Sequence, residues 1–461
     1  MTRVLVITGG RVGVKMAGPA IRAWNIALTL SSDNEVILVT TGILEEIDAP
    51  FELKHVDFGD EKRFGPLEEW SEVIVFQGDS MSIFKGLRRT GKIVVADVYD
   101  PMHLEHLEQS RELTPEGWAR RVDTATWILN EQLARGDFFL CASERQRHLY
   151  IGQLGALGRI NPLTYESDPN LANLIAIAPF GISVTPPQHE SQVLKGVLPG
   201  IRADDKVLIW GGGLYNWFDP ATLIRAIHDV AVRHDNVRLF FQGTKHPGVP
   251  EMQIVSESRE LARSLGVLDS EVFFNDSWVD FEERQNYLLE ADAGVSTHRL
   301  HIETTFSFRT RILDYLWAEL PMVVTEGDSF ADLIAEHELG IVVPENDVQA
   351  LAAALERILF DKEFIERVTA NIRLIRQQFY WSVTLAPLVK FVRNPHRAAD
   401  RPEGRRPRGA ASIRALMALK PPIPRRGLGV QQDLSNAFRA LRSGGFSLVL
   451  EKLLRRLRRR R

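Results

Sequence analysis

The chain has one cysteine among its 461 residues, Cys141, so an internal disulfide is excluded and a reducing compartment fits. No Cys/His spacing of the metal-binding kind occurs, so no metal site is expected. No stretch approaches the roughly 20 apolar residues that cross a bilayer, and the apolar run in MTRVLVITGG is too short for a signal peptide. A cytoplasmic protein is expected. Neither a G-x-G-x-x-G dinucleotide fingerprint nor a Walker loop is present, and the first 390 residues hold no long low-complexity tract.

What is there is an ordinary globular composition, 44% hydrophobic and 25% charged, long enough for two or three domains. Charge is divided unevenly. Residues 395–461 hold 18 Lys+Arg against 4 Asp+Glu, a net +14, so residues 1–394 carry −18 of the total −4. An acidic body with a basic tail presents two different surfaces.

Short apolar, β-branched runs alternate with helix-length stretches: RVLVIT (3–8), EVILVT (35–40), EVIVFQ (72–77), KIVVADV (92–98) and DFFLCAS (137–143). That alternation predicts a parallel sheet covered by helices on both faces. The pattern stops near LIAIAPFGI (174–182), where Pro179, Gly181, Pro186 and Pro187 mark a linker. A second array follows in KVLIWGG (206–212), VRLFFQG (237–243), VFFND (272–276), AGVSTH (293–298), MVVTEGD (322–328) and GIVV (340–343), with a helix expected over 309–320. The predicted organisation is two Rossmann-like α/β domains, 1–185 and 200–378, then a closing helix at 379–394. A basic, partly disordered tail, 395–461, ends in an amphipathic helix at 446–461.

Four segments carry the chemistry. GGRVGVKMAGPAIRAW (9–24) leaves a strand and enters a helix, where Gly18 and free amides favour an anion such as a diphosphate. A plain strand-to-helix turn explains the same glycines. WGGGLYNWFDP (210–220) is the matching turn, where Gly212 and Gly213 allow close backbone approach and Trp217 offers a stacking ring or simple packing. In HIETTFSFRTRILDYLWAELPMVVTEGD (301–328), Arg309 and Arg311 at a helix start suit a diphosphate clamp, with Asp314 one turn in to accept ribose hydroxyls. The competing reading is an Arg–Asp surface pair. ADVYDPMHLEHLE (96–108) puts Asp100, His103 and His106 just past a strand end. A structural histidine, or one bonding a sugar hydroxyl, fits better than a zinc ligand there.

Together these segments resemble glycosyltransferase family 4 over about residues 1–394, most specifically in FRTRILDYLWAELPMVVT (308–325). The resemblance implies a GT-B fold, two Rossmann-like domains facing a central cleft. It also implies retaining transfer from a nucleotide sugar, with no metal or cofactor in the chemical step. It places Asp314 on the family's ribose-binding glutamate, Pro321 on its proline, and GPAIRAW (18–24) on the glycine loop facing the diphosphate. Departures follow. The family's first glutamate falls on Phe306, so Glu303 is the nearest substitute. Glu319 stands where a glycine is usual. GGGLYNWFDP has no counterpart to the family's Arg and Lys, and Arg309 and Arg311 are inferred to replace them. Asp100 and His103 are the catalytic candidates in the first domain.

The partners expected are a nucleotide-sugar donor, a glycan or lipid-linked acceptor, and an anionic membrane surface met by the basic terminal helix. Nucleic acid is not expected, since no reading motif accompanies the basic run. A non-catalytic nucleotide-sugar-binding or scaffold protein, or a nucleotide-sugar epimerase on the same fold, are the competing functions.

Overall fold

The computed structural model describes residues 1–244, 252–277 and 279–401. Seven strands form the first sheet: β1 (Arg3–Thr8), β2 (Glu35–Thr40), β3 (Glu52–His55), β4 (Val73–Gln77), β5 (Ile93–Asp97), β6 (Phe138–Cys141) and β7 (Ile175–Ile177). Their order is β3-β2-β1-β4-β5-β6-β7, with every pairing parallel. The second sheet holds β8 (Lys206–Gly213), β9 (Val237–Gly243), β10 (Val272–Phe274), β11 (Ala293–Ser296), β12 (Met322–Thr325) and β13 (Gly340–Val343), in the order β10-β9-β8-β11-β12-β13. It too is wholly parallel.

Apolar residues on successive positions of β1, β2 and β4 give strands buried on both faces, which helices must cover. Two apolar clusters flank the first sheet, and one continuous core fills the second domain. In both sheets the strand order reverses beside the first strand of the array. Open α/β sheets bind ligands at that switch point, beyond the carboxyl ends of the strands.

Among the described residues the chain crosses between domains twice, and the crossings pair. Ile182 N–H donates to Phe379 O at 2.7 Å, and Trp381 N–H donates to Ile182 O at 3.2 Å. Gly181 is required there: a Cβ would lie 2.6 Å from the Trp381 ring. Beyond this crossing Leu385, Leu388, Phe391 and Val392 return to the first domain's core, with Phe391 stacked on Phe138 at 4.4 Å.

Several sequence expectations need correction. The single closing helix at 379–394 is broken into a 3-10 turn, Arg376–Phe379, and helices Trp381–Thr384 and Ala386–Arg393. Pro387, in the first turn of the last helix, cannot continue a helix from before it. Strand β3 was missed because ELKH is a charged, half-exposed edge. The helix expected over 309–320 is confined to Arg311–Trp317 and is preceded by a separate short helix, Ile302–Phe306.

From 395 to 401 the chain has no helix or strand, yet it packs on the body. Ala398, Asp400 and Arg401 are buried against the first domain. Arg159 Nε donates to Asp400 at 2.7 Å, and Arg401 meets Asp137 at 3.1 Å. Local charge and proline suggested disorder, but Asp400 and Arg401 each find a buried opposite charge, and Arg397 donates to the Lys92 and Gly91 carbonyls. The amphipathic helix expected at 446–461 lies outside the described residues. Asp400→Ala should lower stability by about 2 kcal/mol in urea unfolding, since it removes a hydrogen-bonded charge from buried Arg159. An unchanged midpoint would show that this clip contributes nothing.

Candidate active site

Under the first domain's half of the cleft lies a buried polar network. Arg22, in the first turns of the helix Gly18–Leu30, donates through Nε and Nη2 to the two oxygens of Asp97, each at 2.7 Å. Its Nη2 also donates to Ala178 O at 2.8 Å, and Gln77 Nε2 donates to Asp97 at 2.9 Å. Both charges are fully enclosed, so Asp97 supports the site without entering it.

Asp100 follows β5 into the cleft, and Glu105 sits in the first turn of the helix Met102–Gln109. Each carboxyl acts on the ionisation of the other. Burial raises Asp100, and the facing Glu303 adds to it. Burial and then Asp100 push Glu105 well above the carboxylate range. Glu105 was not singled out from the sequence. Its only signal was its place in LEHLE, one turn beyond Asp100.

His103 lies on the same helix. Burial lowers it to about 4, so it is neutral near pH 7. An unfolded histidine protonates near 6.5. Between about pH 6.5 and 4 the unfolded chain therefore binds the extra proton, and this group's share of stability is lost as pH falls. His103→Gln should flatten the dependence of Tm on pH in that window. An unaltered slope would mean that His103 is solvated.

Across the cleft, Arg311 opens the helix Arg311–Trp317. Its guanidinium carbon lies 4.2 Å from the Trp210 ring centroid and 4.3 Å from that of Phe218, and Nη2 donates to Gly213 O at 2.8 Å. The residue is 7% exposed, and Nη1 has no hydrogen-bond partner among the described residues. Burial pulls its pKa down to about 10, so it stays cationic at pH 7. Burial raises the Tyr215 hydroxyl, with Glu105 adding to the rise and this cation opposing it.

Arg309 differs from the free clamp expected. It precedes the helix, and its Nη1 and Nη2 donate to the two oxygens of buried Glu303 at 3.1 and 2.8 Å. Asp328 approaches its Nε at 3.9 Å. Both oxygens of Glu303 are thus engaged, so in this arrangement Glu303 does not stand free for a sugar hydroxyl. Asp314 pairs with Arg284 at 3.1 Å, and Arg311 forms no ion pair with it. The one-turn spacing was right, but a cation from another helix end reaches the carboxylate first.

Gly212 and Gly213 belong to the end of β8, irregularly paired with β9, and Gly212 takes φ +73°. The neighbouring Gly211 N–H is already bonded to the Tyr315 hydroxyl at 2.9 Å. The turn therefore offers fewer free amides than its glycines suggested. Trp217 is 5% exposed and stacked on Tyr215 at 4.9 Å, a packing ring in this arrangement. Gly18 opens its helix with no side chain capping it, leaving the first-turn amides toward the loop. His298, unremarked in the sequence, donates from Nε2 to Glu326 O at 2.9 Å, which fixes an unprotonated Nδ1. Burial and the nearby Arg309 hold it down at about 3.

The two halves meet. Arg145 Nη1 donates to Gly327 O at 2.6 Å, Gln146 Nε2 to Phe306 O at 2.8 Å, and Asn216 Nδ2 to Glu112 at 2.5 Å. The helix bearing Glu105 packs on the helix Ile302–Phe306. Asp100, Glu105, Glu303, Arg309 and Arg311 are therefore gathered at one groove. Asp314 lies farther along it with Arg284, on the same helix as Arg311.

Residues 205–361 match the family model described as Glycosyl transferases group 1. No curated protein sequence matches the chain. Among solved structures it is similar to sucrose-phosphate synthase from Thermosynechococcus elongatus, with TM-score 0.60 and 15% identity over 85% of this chain and 98% of that one. It is also similar to WaaG, a glycosyltransferase involved in lipopolysaccharide biosynthesis, with TM-score 0.58 and 17% identity over 85% and 100%. A third is Anabaena HepE in complex with UDP-glucose, with TM-score 0.60 and 13% identity over 85% and 100%. The fold is GT-B. With the matched domain, it defines the class as a glycosyltransferase of the GT-B type.

Proposed function

We propose that the protein is a retaining glycosyltransferase of family 4. It would move a sugar from a nucleotide-diphosphate sugar to a glycan or lipid-linked acceptor in envelope polysaccharide or glycolipid assembly. The observation that carries this reading is Arg311, a buried cation with no ion-pair partner among the described residues, at the carboxyl end of β8. A diphosphate supplies the negative charge that this guanidinium lacks.

Breaking the sugar–phosphate bond puts negative charge on the diphosphate and positive charge on the anomeric carbon. Arg311 and the first-turn amides at Gly18 stabilise the former. Arg309 contributes in part, since Glu303 and Asp328 already offset its charge. The acceptor hydroxyl attacks on the face from which the phosphate leaves, and its proton passes to the phosphate oxygen. Asp100 orients the acceptor or donor hydroxyls, with neutral His103 beside it. Asp314 accepts from the ribose hydroxyls. No metal or cofactor is assigned to the chemical step. Contact between the domains limits donor hydrolysis by excluding water.

The WaaG and HepE structures bear on the choice of donor and setting. HepE is in complex with UDP-glucose, and WaaG is involved in lipopolysaccharide biosynthesis. Described residues include no helix long and apolar enough to cross a membrane. We place the enzyme in the cytoplasm, with residues 446–461 adsorbed to anionic lipid. Liposome flotation of the full chain against one ending at Arg401 tests that placement, and equal flotation would remove it.

A thermal-shift screen against UDP-, GDP- and dTDP-sugars tests the donor. A ligand at 100 times its Kd stabilises by ~2.7 kcal/mol. Transfer with the donor that binds, followed by NMR of the product's anomeric configuration, tests the chemistry, and an inverted product would overturn retention. The engagement of Glu303 by Arg309 favours a second reading, a nucleotide-sugar-binding protein without turnover. Binding in the screen without any transfer would select it.

A further inference from the structure

Arg284, which no motif singled out, is held through two of its nitrogens and between two rings. Its Nε donates to Asp314 Oδ1 at 3.1 Å, and its Nη1 donates to the Phe281 carbonyl. The guanidinium carbon lies 3.6 Å from the Phe281 ring centroid and 4.7 Å from that of Trp317. Trp317 is itself fixed, donating through Nε1 to Thr185 O at 2.8 Å in the interdomain linker. A cation clamped between two rings and bonded to a carbonyl has little rotational freedom left, so it fixes the carboxylate it touches. One oxygen of Asp314 is thereby committed, while about a third of the side chain stays open.

The stretch that ends at Arg284 also meets the first domain. Phe281 N–H donates to Val14 O at 3.4 Å, and Lys15 lies 3.7 Å from Asp280. Residues 280–284 thus touch the glycine-rich loop at one end and Asp314 at the other. When the domains separate, the contacts to Val14 and Lys15 break on the segment that holds Arg284.

We infer that Arg284 is a positioning residue for the nucleotide's ribose: it pins Oδ1 of Asp314 so that Oδ2 faces the sugar hydroxyls. The contact of segment 280–284 with the glycine-rich loop makes this alignment best when the cleft is closed. The inference rests on the reading of Asp314 given above. An aspartate, one methylene shorter than the family's glutamate, also has fewer torsions to fix, which suits a carboxylate held from the side by a rigid partner.

A positioning role and a merely structural one part on the ribose. The probes are the nucleoside diphosphate of whichever sugar donor binds the wild type, and its 2′,3′-dideoxy analogue, each titrated by calorimetry. Arg284→Ala should weaken the ribonucleotide about tenfold, the scale of a charge-assisted hydrogen bond, and leave the dideoxy analogue little changed. Arg284→Lys, which keeps a charge but not the fork, should lie between them. In an Asp314→Asn background the Arg284 substitutions should add nothing. If Arg284→Ala folds poorly, the Lys variant and the Asp314→Asn background carry the same comparison. Equal losses on both probes, or full additivity with Asp314→Asn, would overturn the proposal and leave the donor site standing. A wild-type protein that binds no nucleotide would overturn the donor site, and this inference with it.

Discussion

Arg311→Ala should lower kcat by ~10²–10³, the typical cost of removing one preorganised donor from a developing oxyanion, while the melting temperature moves little. The second half of that expectation follows from burial. Desolvation pulls the pKa of Arg311 well below the usual guanidinium range, to about 10, so the fold favours its neutral form relative to the unfolded chain. At every pH below about 10 the folded protein therefore bears a cost for holding the charge. At about 1.4 kcal/mol per unit, that cost is on the order of 3 kcal/mol near pH 7. Removing the guanidinium relieves it and loses, in exchange, the ring contacts to Trp210 and Phe218 and the bond to Gly213 O. The two changes roughly offset. A stability cost retained in the absence of ligand is what a functional cation looks like, since a diphosphate would recover it on binding. Arg309→Ala should behave in the opposite way, because it strands Glu303 in a buried position without its partner and costs stability first. Turnover by Arg311→Ala near the wild-type rate would sink the clamp, and so would a collapse of folding equal to that of Arg309→Ala.

The difference between these two arginines marks where the sequence stops being legible. Strands such as RVLVIT and EVIVFQ announce themselves because a strand buried on both faces must be apolar along its buried run. Two such arrays about a proline-rich linker imply twin domains and a groove between them. Pairing is another matter. Arg309, Arg311 and Asp314 sit within six positions, and local spacing allows any of them to bond another. The tertiary structure gives Arg309 to Glu303, Asp314 to Arg284, and leaves Arg311 between aromatic rings. Arg284 and Glu105 were invisible for the same reason: each acts on a partner supplied by folding or by a turn not yet known to be helical. Trp217 shows the converse, a residue that the sequence leaves open between stacking and packing. Its ring reads as a stacking platform when the loop is imagined open, but the loop turns back and buries it on Tyr215.

Asp97→Ala should cost about 3–5 kcal/mol in denaturant unfolding, the largest stability loss expected among the substitutions considered. The reason is the asymmetry between breaking a buried ion pair and replacing it. Asp97 satisfies two donors of Arg22 and one of Gln77 in a place with no access to water. Truncating it leaves a guanidinium held over the rings of Tyr99 and Phe180, and Ala178 O supplies the one remaining bond to a neighbour. Replacing both partners by apolar groups, Arg22→Met with Asp97→Leu, should recover most of the loss, because no charge is then stranded. Catalysis should not recover with it. Asp97 closes β5 three residues before Asp100, and Arg22 ties that strand end to Ala178, where the chain leaves for the second domain. An apolar pair can fill the space but cannot hold β5 and the crossover in register, so the double variant should fold and still turn over slowly. Full activity in that variant would mean that the network serves stability alone, and that Asp100 is positioned by its own loop.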